Sequence, residues 1–368
     1  MNKQLINVLK FIVFVGTGFG IFYLVYQKQN AAFIEECALN GIAAADCSLV
    51  DKVVTDFTSA NFFWILMALL AFTISNISRS IRWKMLIEPL GYTPRLINCF
   101  FSTILMYFAN LGFPRLGEVV RPGTLSRYEK IPVDQLLGTS VMDRIMDVVS
   151  ILIVTGLTLL LEYQNIVNYL GQHINVEEKL ASLWQPGVIG TVAAVGLALL
   201  AIIYFLRQRL LRTKLVQKGI EVVKGIFNGL KTIGQLEKPG LFILHSINIW
   251  VMYYLMTYLL FFSFAPTAAL PATAALLVFV MGGWGIVIPS PGGMGTYHFL
   301  AGVALSIYAV GGDDAFSFAN ISFFSIQIGS NLVLGIVALL ALPILNKDYR
   351  PAPPQQRPDE KMDAVPAA

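Results

Sequence analysis

Nine residues, Pro114-Arg115-Leu116-Gly117-Glu118-Val119-Val120-Arg121-Pro122, lie between two apolar segments, 96–113 and 141–161. They put two arginines, a glutamate and two prolines where a membrane span would carry leucine. Hydrophobic residues make up 56% of the chain and charged residues 13%, which excludes an ordinary soluble domain. A charged side chain at the bilayer centre costs about 2.5–3.5 kcal/mol on insertion scales, so this stretch must face an interior or a water-filled cavity. Its prolines break the helix and free carbonyls that need other partners.

The predicted fold is an all-α integral membrane protein. It has about six full transmembrane helices, at roughly 20 apolar residues per crossing, plus two broken or re-entrant helical hairpins. Segment 9–26 follows Lys3 and reads as an uncleaved anchor. The loop after it carries Glu35, Glu36, Asp46, Asp51 and Asp56, and is expected outside. Cys37 and Cys47 in that loop form a disulfide or stay as two unpaired thiols. Segment 61–78 returns inside to Arg79, Arg82, Lys84 and Arg95, with Trp64 and Trp83 read as interfacial aromatics near its ends.

A full crossing at 96–113 would invert every later loop, including the basic one at 207–238. Positive-inside counting rejects that, so residues 96 to 130 are expected to enter and leave on the cytoplasmic side. Segments 141–161, 186–206, 241–264 and 316–342 are the remaining full crossings, and 271–310 is the second broken hairpin. The basic, amphipathic 207–238 either lies on the anionic inner leaflet or is a plain basic loop; neither reading implies nucleic acid. Residues 1–346 thus form one polytopic membrane domain, and 347–368 a disordered cytoplasmic tail rich in proline. Units 1–161 and 186–342 repeat the same order of spans with opposite hand, a probable inverted-topology repeat, and both termini are expected inside.

Arg115, Glu118 and Arg121 are spaced by three and would share a face of any helix there. Glu118 neutralises one arginine and leaves the other for an anion. Arg121, just before Pro122, is assigned the anion and Arg115 the pairing, with the reverse left open by spacing. A guanidinium suits phosphate because its planar fork binds in bidentate fashion and stays charged when desolvated. The alternative is that these groups only neutralise each other and fix the hairpin. Asp143, Arg144 and Asp147 form a second cluster, either contacting substrate or clamping this helix to the first hairpin. In Pro289-Ser290-Pro291-Gly292-Gly293-Met294-Gly295, glycines permit close backbone approach and exposed amides can bind an anion. His298 follows, read as an interior histidine sooner than a proton carrier. No metal spacing, cofactor motif or nucleotide loop is visible.

Three motifs in order, P-R-L-G-E-x-x-R at 114–121, D-R-x-x-D at 143–147 and P-S-P-G-G-M-G at 289–295, resemble the signature of the lysylphosphatidylglycerol synthase/flippase transmembrane region. The resemblance runs to about Leu342. It implies a membrane region that moves an aminoacylated phospholipid between leaflets. The soluble synthase domain of the best-known members has no counterpart here, and His298 stands where the family often has a glutamate. Some stand-alone members are linked to polyprenyl-lipid glycosylation.

The expected function is therefore flippase-like translocation of an anionic or aminoacylated phospholipid, or of a polyprenyl-phosphate lipid, in a bacterial inner membrane. Pro289, Ser290, Gly292, Gly293, Gly295 and His298 join the arginine and aspartate clusters as substrate-binding residues. Two alternatives remain: a lipid-modifying enzyme with Glu118 or Asp143 as base, and a non-transporting partner of a glycosyltransferase or synthase. Homo-oligomers are compatible with each.

Overall fold

The computed structural model describes residues 47–112, 115–173, 236–288 and 293–353, together with Gly234 and part of 20–38. All regular structure among them is helical: α1 Leu49–Ser59, α2 Phe62–Ile87, α3 Leu96–Gly112, α4 Gly117–Glu129, α5 Val133–Leu161 and α6 Tyr163–His173. Then follow α7 Pro239–Phe261, α8 Ala272–Val287, α9 Thr296–Ser306, α10 Gly312–Phe323 and α11 Asn331–Leu345. A π-helical turn, Phe324–Ser330, joins the last two into one span. The chain divides into two units, Met1–Thr158 with Leu236–Ala368, and Leu159–Gln235. In the smaller unit, Glu162 accepts from the Asn165 amide beside the start of α6.

The helices Phe62–Leu90, Val133–Leu161, Pro239–Phe261 and Gly312–Leu345 are long and apolar enough to cross a membrane, so the chain is a multi-pass helical membrane protein. The crossing expected at 186–206, nearly all of that at 9–26, the basic stretch 207–233, and residues 354–368 lie outside the described residues. Along α5, Val141, Val148, Leu152, Ile153 and Leu157 are exposed, as side chains facing lipid are.

Local chemistry sets the helix starts. Ser48 caps α1 by accepting from the Asp51 amide, and Asn61 caps α2 by accepting from the Phe63 amide. The Asn61 amide in turn donates to the Ser263 carbonyl, tying the start of α2 to the end of α7. The two helices stay together further on, where Ser75 donates to the Ile249 carbonyl and Asn248 to Ser78.

Two pairs of shorter helices form the hairpins. In the first, α3 packs on α4. Gly117 makes this possible, because a Cβ there would run into the Met106 carbonyl. The Gly117 amide donates to Asn110 across the turn. The open end of this hairpin lies at the far end of α2, since Arg95 follows Ile87 and its amide donates to Glu129 at the end of α4. In the second, α8 packs on α9, and a Cβ at Gly285 would lie 2.9 Å from the Tyr297 amide nitrogen. This hairpin opens toward the other end of α2: α10, which follows it, carries Asp313 and Asp314, and both pair with Lys52 just ahead of α2. The acidic residues 51–56 of α1 and 313–314 at the start of α10, both expected on one side, are therefore brought together by Lys52.

Lys52 also pairs with Asp56, which accepts from Ser317. Burial alone would lower the Lys52 pKa, but hydrogen bonds to Asp314 and Asp56 outweigh it and leave the pKa raised. A raised lysine pKa contributes stability below the ordinary value of about 10.4, lost only as pH rises past the raised value. Lys52→Met should cost about 1 kcal/mol at neutral pH, because three acids then share one end without a cation. Thermal unfolding in detergent measures it.

At the opposite end, Glu129 is buried and accepts from the Arg95 amide, the Asn98 amide group and the Tyr349 phenol. Asn98 and Asn346 exchange amide hydrogen bonds, and Arg95 lies 4.6 Å over the Tyr349 ring. This network fastens the end of α11 to the open end of the first hairpin. Desolvation and the neighbouring Glu129 push the Tyr349 pKa up to about 12. Its stabilising contribution is thus full below the ordinary tyrosine value of about 10 and fades as pH climbs from there. Tyr349→Phe should lower stability by about 1 kcal/mol at pH 7 and by less at pH 11. An equal loss at both pH values would overturn the role of the phenol. Cys37 and Cys47 form a disulfide, which resolves that alternative.

Candidate functional site

The charged residues of α2, α4 and α5 converge inside the larger unit. Asp143 and Asp147 lie one turn apart on α5, 10–14 residues into a helix that rises 1.5 Å per residue, hence about 15–21 Å from its start. Arg79 and Arg82, one turn apart on α2, meet both of them. Arg82 Nε lies 2.8 Å from Asp143 Oδ1 and its Nη2 2.7 Å from Asp147 Oδ1. Arg79 Nη1 bridges Asp147 Oδ2 at 2.5 Å and Asp143 Oδ2 at 3.6 Å. Arg121 Nη1 joins at 2.7 Å from Asp143 Oδ2. Arg144 pairs with Glu118 at 2.6 Å and with Asp147 at 3.4 Å. Asp143, Arg82, Arg79 and Arg121 are buried, while Glu118 and Arg144 are about a third exposed, so the cluster opens at that pair.

Four guanidiniums against three carboxylates leave one positive charge in a low-dielectric interior. Arg121 carries the clearest vacancy in hydrogen bonding. Its Nη1 holds Asp143, and its guanidinium lies over the Trp83 ring at 4.0 Å. Nε and Nη2 are both buried and without partner. Those two nitrogens form one edge of the guanidinium, the fork that grips two oxygens of a phosphate. Orphaned buried donors cost about 1–3 kcal/mol each, so a fold that keeps two on one side chain needs a reason. Ser140 Oγ, one turn before Asp143, and Arg79 Nε are also buried and unpartnered.

Several expectations need correction. Glu118 pairs with Arg144, not with Arg115. The three residues at spacing three do not share a helical face, because α4 begins only at Gly117 and Arg115 precedes it at φ 60°. Arg115 is exposed at the hairpin turn. The helix does not end at Pro122 but continues through it to Glu129. Arg121 reaches the interior by helical phase, on a buried stripe of Gly117, Arg121, Leu125 and Glu129 at spacing four. Trp83 is not interfacial: it is fully buried, and its indole donates to Thr139 at 3.0 Å. Glu118 and Asp143, the bases of the enzyme alternative, are both committed to arginines.

Arg79 and Arg82 were expected as loop cations on the inner side, and the sequence reading missed them as site residues. Two signals point to them. They are spaced by three within one long apolar helix, and Asp143 and Asp147 demand cations from elsewhere.

The second hairpin holds the other predicted residues. Pro289, Ser290 and Gly292 lie outside the described residues. Gly293 and Gly295 adopt φ of 85° and 80°, values that suit glycine. Thr296 donates to the carbonyls of Gly285 and Gly293, closing the turn onto α8. His298 is buried among Phe22, Tyr297, Phe316 and Phe323, and its Nδ1 accepts weakly from the Gly295 amide at 3.4 Å. None of the four clustered arginines is among these neighbours.

Comparison with known proteins adds two matches. The family model described as the lysylphosphatidylglycerol synthase TM region matches residues 42–345. UPF0104 membrane protein MJ1595 of Methanocaldococcus jannaschii is 29% identical over 101 residues, covering 27% of this chain and 30% of that protein. The similarity to that relative thus spans less than a third of either chain. No solved structure matches.

Proposed function

Because the chain belongs to the lysylphosphatidylglycerol synthase transmembrane-region family, its work lies with a membrane lipid, and we propose that it binds the phosphate of such a lipid and carries it between leaflets. The observation that carries this reading is the free, buried Nε–Nη2 edge of Arg121 in a cluster with one surplus positive charge. A phosphate there supplies the missing anion and two acceptors in the geometry the fork prefers. The opening at Glu118 and Arg144 is the side from which a headgroup reaches it.

The two hairpins supply the movement. They open toward opposite ends of α2, which supports an inverted-repeat plan in which each hairpin gates the site toward one leaflet. A phospholipid and a polyprenyl-phosphate lipid both present the required group. The setting is a bacterial inner membrane with both termini cytoplasmic. Glu118 and Asp143, the bases that a lipid-modifying enzyme would use, are both paired with arginines.

Reconstituted leaflet exchange tests the proposal. Purified protein in phosphatidylcholine vesicles should speed the exchange of phosphatidylglycerol without changing it chemically. Arg121→Met should remove most of that rate. A new lipid product would instead establish an enzyme, and exchange no faster than in protein-free vesicles would sink transport.

A further inference from the structure

We infer that the π-helical turn Phe324–Ser330, together with Asn331, binds a dehydrated alkali-metal cation through uncharged oxygens. Ser150, Thr158 and Ser246 show the usual outcome for a helical hydroxyl in this chain, since each donates to the carbonyl four residues back. Ser325 and Ser330 do not: both are buried, and neither Oγ has a partner. Asn331 is buried as well. Its amide group donates to Gln327 Oε1 at 2.8 Å, which leaves its Oδ1 unpartnered. Three idle oxygens thus fall in the short stretch 325–331, although each such buried orphan is costly to keep.

The backbone adds acceptors. A π turn replaces the i→i−4 bonds by i→i−5 bonds, and where the two patterns meet a carbonyl is left short of a donor. Carbonyls and Asn331 Oδ1 only accept, so the occupant is a donor or a cation. No residue from Ala315 to Leu345 is charged. A divalent ion relies on carboxylates, which this span lacks. A monovalent cation suits uncharged oxygens, as unwound carbonyls coordinate sodium in transporters with broken helices. α2 packs against the turn, and its Asn76 carries one more buried, unpartnered Oδ1. Gln327 is only partly buried and marks the way in.

The turn lies midway along the 34-residue helix Gly312–Leu345. Ahead of it, Ser322 shares a hydrogen bond of 2.7 Å with Tyr297 of α9, and Phe323 packs on His298. Beyond it, Gly335 meets Phe108 of α3 so closely that a Cβ would overlap the ring. The span therefore touches the second hairpin before the turn and the first hairpin after it. A cation that orders the turn fixes how the two halves of the span sit, and the hairpins with them. Cation binding is thereby coupled to lipid movement, a step that rests on the transport reading above.

Thermal unfolding of the purified full chain in detergent tests the site without any lipid. The midpoint should be higher in sodium or potassium chloride than in choline chloride at equal ionic strength, and should climb with cation concentration. Ser330→Ala should shift that response to roughly tenfold higher concentration, the worth of one contact to a charged group. Asn331→Leu removes a costly orphan, so in choline it should be at least as stable as the wild type, yet insensitive to the cation. Equal midpoints in the three salts would overturn the site and assign these oxygens to water. An unchanged cation response in both variants would also overturn it. For the coupling, a sodium gradient across vesicles should change the rate of phosphatidylglycerol exchange in the wild type and not in Asn331→Leu. A midpoint shift without that effect would keep the site and overturn the coupling. A midpoint shift in protein that exchanges no lipid would sink the transport reading and leave the cation site standing.

Discussion

Asp143→Asn should yield little folded protein, and Asp143→Ala less. Asp143 is fully buried and takes three arginines, Arg79, Arg82 and Arg121. Removing its charge leaves four guanidiniums against two carboxylates. Breaking a buried ion pair from one side costs about 3–5 kcal/mol, because the partner charge stays buried without compensation. Against a typical stability of about 5–15 kcal/mol for a folded domain, that loss reaches much of the total. Yield of monodisperse protein in detergent and its thermal midpoint measure the effect. Arg121→Met placed on top of Asp143→Asn restores the original surplus of one and should recover part of the loss, a coupling that a double-mutant cycle isolates. Wild-type stability in Asp143→Asn would show that the cluster is not held by this charge.

The same cluster shows how far the sequence could be read. Charge inside apolar segments is costly, so Glu118, Arg121, Asp143, Arg144 and Asp147 could be picked out as interior groups, and they do meet. Their pairing could not be derived, because spacing decides partners only within one continuous helix. The break before Gly117 puts Arg115 outside α4, and Glu118 turns to Arg144 on another helix. Arg79 and Arg82 were hidden by a rule that is otherwise sound. Positive residues near a span end fix its orientation. These two sit in the last turns of a helix of 26 residues, long enough for them to remain inside the protein. The apolar run 61–78 ends just before them, so its length gave no sign that the helix continues inside the protein through both arginines.

The hairpins were more legible than the site. Proline, glycine and charge in an apolar run mark a break, and positive-inside counting demands that residues 96 to 130 return to the side they entered. The bond from the Arg95 amide to Glu129 closes that loop in space. The glycines that allow it were not legible as such. Gly117 was read as part of a charged motif, while its role is to let α4 approach the Met106 carbonyl. Contact distance between two helices depends on their relative phase, which no single segment specifies.

Arg121→Met should fold and lose lipid. The substitution keeps volume over the Trp83 ring and removes one of three arginines from Asp143, which still has Arg82 through two nitrogens and Arg79. Three guanidiniums then balance three carboxylates, so the cluster loses its surplus charge and not its compensation. What disappears is the Nε–Nη2 edge. Hydrogen bonds to a charged group contribute about 1.5–3 kcal/mol each, so losing a bidentate contact should weaken phosphatidylglycerol binding by roughly ten- to a few-hundred-fold. Arg121→Lys keeps the charge and a contact to Asp143 but lacks the planar fork, and should restore only part of the affinity. Arg115→Ala, exposed and outside α4, should cost much less. The measurement is retention and leaflet exchange of phosphatidylglycerol at matched amounts of folded protein. Unchanged exchange in Arg121→Met would rule out the ligand role. Full rescue by lysine would show that charge alone, and not the fork, is what the site uses.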